Sequence, residues 1–331
     1  MFFNGIKKIH FIGIGGIGMS GIAEILKEKK FQVTGSDISE NNNTKRLRNL
    51  GIKILIGHKK QNIRDAQIVV FSSAIKKNNI EINEARKLKL PIIPRAAMLA
   101  EILRFKSAIT VSGSHGKTTT TSIIASIFES SKLDPTIING GIINKYDTNA
   151  KLGKGDWIIA EADESDGSFT VLPSVISIIN NIDAEHMEFY GNFQNLKKAF
   201  LKYAQNIPFY GFISVYIDDK NIREVIKQLP EKRIFKYGVS SEANITYKNL
   251  KFFSKGKKIF SKFDVTTNFG KIETIKNIYL PLVGYHNVCN ALAAISVAIG
   301  VGINKNDIKK GLKKFEGVNR RTTIIYNKNN I

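Results

Sequence analysis

Short apolar runs alternate with longer amphipathic stretches over most of this chain, and the alternation predicts strands and helices in turn. Residues 8–14 read as a buried strand, 19–29 as a helix and 31–35 as a second strand. Segments 52–56 and 66–71 read as further strands, 81–89 and 96–104 as helices, and 91–94 as extended. This βα order predicts a parallel, doubly wound sheet. A new buried strand near Ser107 opens a second series, with a loop over 113–118 and a helix to about Lys132. Strands at 136–138, 157–160, 175–179 and 212–216 follow, with a helix over 193–204. From Arg233 to Leu282 the pattern changes to short alternating segments with turns at Gly238, Gly256 and Gly270, which predicts an antiparallel β insertion. Residues 284–287 cap a markedly apolar helix, 288–300, and 307–315 form a last short helix. The fold class is therefore α/β. An N-terminal Rossmann-like parallel-sheet domain over 1–105 is followed by a P-loop-type α/β domain over 106–316 with a small antiparallel β insertion.

Composition narrows the functional classes. A chain of 331 residues is long enough for two domains with their own cores, and 43% hydrophobic with 24% charged residues is ordinary for a soluble globular protein. No apolar run approaches the length needed to cross a bilayer, and the first residues run into a strand rather than a signal-peptide pattern. The single cysteine, Cys289, excludes an intramolecular disulfide and any cysteine-cluster metal site, and it reads as core packing. A cytoplasmic location is the expectation. The formal charge of +22 invites a nucleic-acid or membrane reading. The lysines are spread along the whole chain, however, and no nucleic-acid module accompanies them, so neither partner is expected.

The chemistry concentrates after predicted strands. Ile109-Thr110-Val111-Ser112 leads into Gly113-Ser114-His115-Gly116-Lys117-Thr118-Thr119, a strand, a glycine turn and a helix start. Backbone N–H groups and the helix dipole attract anionic oxygens there, Lys117 adds a full charge, and Thr118 offers a hydroxyl to Mg²⁺. The phosphate-loop pattern would have glycine where Val111 stands, so only Gly116-Lys117-Thr118 match strictly. Glu161 follows the strand 157–160 and could hold Mg²⁺ opposite that loop, as the carboxylate after a neighbouring strand does in nucleotide-hydrolysing enzymes. It opens an acidic cluster, Glu161 to Asp166, whose mutual repulsion a divalent cation would relieve. His186, among Asp183, Glu185 and Glu188, is either a ligand or a hydrogen-bond partner, since Mg²⁺ prefers oxygen. Upstream, Gly13-Ile14-Gly15-Gly16-Ile17-Gly18 satisfies G-x-G-x-x-G between a strand and a helix, and Asp37 ends the next strand. That order supports a diphosphate-binding unit. Nicotinamide-dependent redox chemistry would also use it, but would leave Lys117, Glu161 and His186 without a role.

These segments form an ordered set: 13–24, 112–122, 161–169, 181–187, Gly-Tyr-His-Asn-Val-Cys-Asn-Ala-Leu-Ala-Ala at 284–294, and Phe-Glu-Gly-Val-Asn-Arg-Arg at 315–321. Over essentially the whole chain the set resembles the Mur ligases of peptidoglycan synthesis, a family in which the relaxed glycine spacing of the phosphate loop is usual. The resemblance implies that Gly15, Gly16, Gly18, Met19, Ser20, Asp37, Ser72 and Ser73 bind the UDP-sugar, UDP-N-acetylmuramate. It implies that Gly113, Ser114, His115, Gly116, Lys117, Thr118, Thr119, His286, Asn287, Asn290, Arg320 and Arg321 bind ATP. Thr118 and Glu161 would hold one Mg²⁺, and His186 would assist a second. Lys117, Glu161 and His186 would carry catalysis: phosphorylation of the muramate carboxylate, then displacement of phosphate by the amine of L-alanine. Residues 317–331 would be a hinge leading to a third domain that binds the amino acid; this domain would lie beyond Ile331 or be supplied by a second chain. Without it, the two nucleotides would bind with little alanine-dependent phosphate release. A non-catalytic nucleotide-binding subunit is the alternative expectation.

Overall fold

The structure is a computed structural model that describes residue 3, residues 5–255 and residues 258–317. The predicted turn at Gly256, together with Arg320 and Arg321, lies outside the described residues. The chain forms two compact units, one of Met1–Ile102 with Thr148–Leu152, the other of Leu103–Asp147 with Gly153–Ile331.

In the first unit the order is β1 (Lys8–Ile12), α1 (Ile17–Glu28), β2 (Gln32–Asp37), α2 (Asn42–Asn49), β3 (Lys53–Ile56), β4 (Ile68–Phe71), α3 (Ile80–Lys87), β5 (Ile92–Pro94) and α4 (Arg95–Leu103). The strands form a parallel sheet in the order β3-β2-β1-β4-β5. Apolar strand residues such as Ile9, Phe11, Val69 and Val70 are buried, as both faces of a parallel sheet require. From β1 the chain winds outward through β2 to β3 and then crosses back to β4 on the other side of β1, so the strand order reverses beside β1 and a crevice opens at the carboxyl ends of these strands.

Thr148–Lys151 belongs to this unit, although the division at 105/106 assigns it to the second domain. Polar anchoring explains the difference. Arg46 of α2 lies 3.3 Å from Glu24 of α1 and donates to Asn149 at 2.9 Å, while Thr148 donates to Glu24 at 2.9 Å. Asn149 in turn donates to the Ile17 carbonyl at 2.6 Å. Burial pushes the Glu24 carboxyl up, against the opposing pull of Arg46. Hydropathy does not register such a segment.

The second unit opens with β6 (Ser107–Ser112), α5 (Lys117–Ser130) and β7 (Thr136–Ile143); Thr148–Lys151 of the first unit is β8 in chain order. Then come β9 (Trp157–Glu161), β10 (Ile176–Ile179), α6 (Met187–Tyr190), α7 (Phe193–Gln205), β11 (Phe212–Tyr216), α8 (Lys220–Ile226) and β12 (Ile234–Tyr237). Three longer strands, β13 (Ile245–Lys255), β14 (Lys258–Asn268) and β15 (Ile272–Leu280), precede α9 (Tyr285–Val301) and α10 (Lys305–Lys314). The sheet runs β7-β9-β6-β10-β11-β12-β13-β14-β15. Its strands are parallel through β12, and β13–β15 pair antiparallel. The β insertion is therefore narrower than the sequence pattern suggests, because Ile234–Tyr237 extends the parallel sheet beside β11. Ile123, Ile127 and Phe128 of α5 and Leu292 and Ile295 of α9 share one buried core with the sheet. That core fixes α5, and with it the loop at its N-terminus.

Candidate active site

The turn between β6 and α5 has the backbone that only glycine adopts readily: Gly113 has φ +132° and Gly116 has φ +83°. Gly116 caps α5 without a side-chain hydrogen bond, and the first-turn N–H groups of a helix have no partner within it. The turn is tied to the end of β10. His115 N–H donates to Asn181 Oδ1 at 2.7 Å, and Asn180 Nδ2 donates to the His115 carbonyl at 3.2 Å. Tyr237 donates to Asn180 Oδ1 at 3.2 Å, and Asp183 N–H donates to Ser114 Oγ at 2.9 Å. Asn180 and Asn181 are thus structural supports of the loop; Asn181 opens the segment 181–187 but carries no site role in the sequence, and the signal for Asn180 is an Asn-Asn pair straight after an apolar strand. The other side of the turn faces α9, since a Cβ on Gly116 would stand 2.5 Å from Asn290 Oδ1. Gly116→Ala combines that overlap with a left-handed backbone, and is expected to weaken nucleotide binding by about a hundredfold. Titration calorimetry checks this, with circular dichroism to confirm that the fold persists.

Two carboxylates meet the start of α5. Thr118 Oγ1 donates to Glu161 Oε1 at 2.9 Å, and the Gly140 N–H donates to Glu161 Oε2. A hydroxyl and a carboxylate in contact form an oxygen donor set of the kind Mg²⁺ takes. Lys117 Nζ lies 2.9 Å from Glu164 Oε1 and donates also to the carbonyls of Gly113 at 2.7 Å and Ser114 at 3.3 Å. The Glu164 side chain is 1% exposed. Burial pushes its carboxyl above the usual range despite the neighbouring ammonium. Glu164 is named at the sequence level only as one of an acidic cluster; its burial sets it apart.

His186 sits with φ +58° at the start of α6, its Nε2 3.8 Å from Glu164 Oε1 and its Nδ1 3.6 Å from Glu188. Ligand atoms of Glu164, Glu185 and His186 lie within 4.8 Å of one another. His115 is exposed and faces Asp183 at 3.4 Å and Glu185 at 3.6 Å. Thr119 is buried in α5. In α9, Asn287 and Asn290 are buried, Asn287 donating to the Val283 carbonyl at 2.8 Å, whereas His286 is exposed. The helix begins at Tyr285, earlier than the apolar pattern indicates, so these three lie in its first turns.

The first unit carries a cavity of about 520 Å³ at the strand ends, lined among others by Gly15, Gly16, Asp37, Asn41, His58 and Ser72. Gly15 N–H donates to Asp37 Oδ2 at 2.8 Å, and a Cβ on Gly15 would stand 2.6 Å from Asn41 Nδ2. Ser73 does not line the cavity. Gly18 faces Arg95, and Met19 and Ser20 are buried, Ser20 donating to the Ile17 carbonyl at 3.0 Å. These three positions shape α1 rather than the cavity wall. His58 and Asn41, which do line it, carry no motif.

Beneath that wall lies Glu81, fully buried. It accepts hydrogen bonds from Ser36 at 2.6 Å, Asn62 at 2.5 Å and the Lys59 N–H at 3.2 Å. His10 Nε2 and His58 Nδ1 face the same carboxylate at 3.6 and 3.5 Å. Burial would push the Glu81 carboxyl up, but His10, Ser36 and Asn62 together hold it below the usual range.

Residues 8–107 match the family model described as Mur ligase family, catalytic domain, and 111–298 match that of the Mur ligase middle domain. The chain is 49% identical over 320 residues to the UDP-N-acetylmuramate–L-alanine ligase of Brucella anthropi, covering 96% of this chain and 68% of that protein. It is 50% identical to the protein of the same name from Rhodospirillum rubrum, covering 96% of this chain and 66% of that one. Among solved structures, UDP-N-acetylmuramate–alanine ligase of Thermotoga maritima is similar, with TM-score 0.84 and 31% identity over 97% of this chain and 71% of that one. The UDP-N-acetylmuramate:L-alanyl-γ-D-glutamyl-meso-diaminopimelate ligase of Neisseria meningitides also has TM-score 0.84, with 25% identity over 95% of this chain and 100% of that chain. The chain thus spans about two thirds of the full-length relatives it matches.

Proposed function

The chain belongs to the Mur ligase family, and from that membership we propose that it serves the ATP-dependent joining of L-alanine to UDP-N-acetylmuramate in peptidoglycan precursor synthesis. The observation that carries the catalytic half is the set of Lys117, Thr118 and Glu161 around one glycine turn at the carboxyl edge of a parallel sheet. The choice of substrate rests on the names of relatives that are 49–50% identical over 96% of the chain.

In this reading the turn and the first N–H groups of α5 bind the ATP phosphates, and Lys117 bridges the β- and γ-phosphates. Thr118 Oγ1 and Glu161 would hold Mg²⁺, whose charge would offset the repulsion between the nucleotide and the substrate carboxylate. His186 stands near the substrate carboxylate. Asn287 and Asn290 fix the nucleoside end, and the cavity of the first unit takes the UDP moiety. The lactyl carboxylate oxygen attacks the γ-phosphorus; the bond to the β,γ-bridging oxygen breaks, and ADP leaves with that electron pair. The neutral amine of L-alanine then adds to the acyl carbon, phosphate departs, and the amine loses a proton to give the amide.

Glu161→Gln keeps the shape and the Thr118 contact but removes the charge a divalent cation needs. It is expected to lower the affinity for MgATP by about a hundredfold, with little change in UDP-N-acetylmuramate binding. Calorimetry with each nucleotide separately, and phosphate release with L-alanine or with the tripeptide L-alanyl-γ-D-glutamyl-meso-diaminopimelate as acceptor, test the whole reading. MgATP binding indifferent to Glu161→Gln would rule out the catalytic half. Release stimulated only by the tripeptide would replace the substrate.

A further inference from the structure

Lys117 has three ammonium protons, and the protein supplies three acceptors for them: the Gly113 carbonyl at 2.7 Å, the Ser114 carbonyl at 3.3 Å and Glu164 Oε1 at 2.9 Å. In this arrangement the lysine is turned back into its own loop and has no proton left to offer a phosphate. Glu164 is nearly sealed from solvent, and its second oxygen, Oε2, is buried without a hydrogen-bond partner. A buried carboxylate with one oxygen unsatisfied is costly, so it holds strongly to the cation it has. It is also held in place, because the Tyr190 hydroxyl donates to the Glu164 carbonyl.

We propose that Glu164 is a positioning residue for Lys117, keeping the lysine retracted in the phosphate loop until a polyphosphate takes it over. This deepens the ATP step proposed above and rests on it. Two anions compete for one ammonium. A polyphosphate brings several oxygens to the loop N–H groups as well as to Lys117, and so displaces Glu164; a ligand with a single phosphate does not. When Lys117 turns away, the His186 imidazole, with Nε2 3.8 Å distant, still faces the same Glu164 oxygen. Glu164 thereby weakens only the ligands that recruit Lys117, and leaves a single phosphate, held by the loop N–H groups alone, unaffected.

The test uses the full chain and three probes, MgATP, inorganic tripolyphosphate and AMP, with wild type, Glu164→Gln, Glu164→Asp and Lys117→Met. Glu164→Gln is expected to bind MgATP and tripolyphosphate about tenfold more tightly while AMP affinity stays unchanged, with Glu164→Asp close to wild type. In the Lys117→Met background the same substitution is expected to change affinity by less than about twofold, because the coupled partner is gone. A second readout needs no nucleotide. Limited labelling with an amine-reactive reagent, mapped by mass spectrometry, should modify Lys117 about tenfold faster in Glu164→Gln than in wild type. Unchanged Lys117 labelling, or weaker tripolyphosphate binding in Glu164→Gln, overturns the proposal. Faster labelling in a protein that binds no ATP leaves the positioning role standing and removes the ATP reading instead.

Discussion

Lys117→Met is expected to weaken MgATP binding by about a hundredfold and, separately, to lower the stability of the second unit by about 3 kcal/mol. The first effect is the loss of the ammonium at the phosphate loop. The second arises because Glu164, 1% exposed and with Oε2 already unpaired, then loses its Lys117 ion pair. Methionine has nearly the length of lysine and packs against the same stem, so little of the loss comes from a cavity. Replacing Glu164 by Gln in the Lys117→Met protein should regain most of the stability, while MgATP binding stays weak. Thermal unfolding of the two single variants and the double variant makes the comparison. A Lys117→Met protein as stable as wild type would show that Glu164 is not held by this pair.

Glu81→Ala is expected to destabilise the first unit by about 3 kcal/mol at neutral pH, because it removes the acceptor of three hydrogen bonds in a dry interior. Ser36, Asn62 and the Lys59 N–H all lose this acceptor, and His10 and His58 lose the carboxylate between them. The pH dependence has a definite sign. The folded-state value of Glu81 lies below its unfolded value, so ionised Glu81 stabilises the fold fully above the ordinary carboxylate range. That contribution disappears as pH falls through the folded-state value. Hydrogen exchange of the β1, β2 and β4 amides in wild type and Glu81→Gln should therefore differ most near pH 7 and converge on acidification. A gap that widens toward acid would assign the stability to another group. His58 lines the cavity of this unit, so weaker UDP binding should accompany the loss.

Much of the architecture is legible in the chain. Parallel strands buried on both faces leave apolar runs, and glycines mark the turns where the backbone must be left-handed, as at Gly113 and Gly116. Lys117 and Thr118 could be named because they follow an apolar run and its glycine turn, and Glu161 because it ends the next such strand but one; the sheet brings Thr118 and Glu161 into contact. Other positions were hidden for identifiable reasons. Thr148–Lys151 joins the first unit through polar side chains that no hydropathy pattern records. Ile234–Tyr237 alternates like an antiparallel strand yet pairs parallel to β11, and direction depends on the connection rather than on the residues. Met19 and Ser20 stand beside the glycine motif, but the 3.6-residue period of α1 turns them inward.

The order of strands and helices, the glycine turn with its lysine and hydroxyl, and the carboxylates after neighbouring strands are all written in the chain. Those features are local, set by side-chain period, backbone freedom and chain order. Packing sets which carboxylate meets which partner: Glu161 faces Thr118 and Gly140, whereas Glu164, three residues further on, is buried against Lys117. It also revealed the carboxylate hub at Glu81, assembled from three separate strands and loops around a helix residue. Burial and pairing belong to the packed state, in which residues far apart in the chain exclude water from one another, and a linear pattern of residue types does not encode that exclusion.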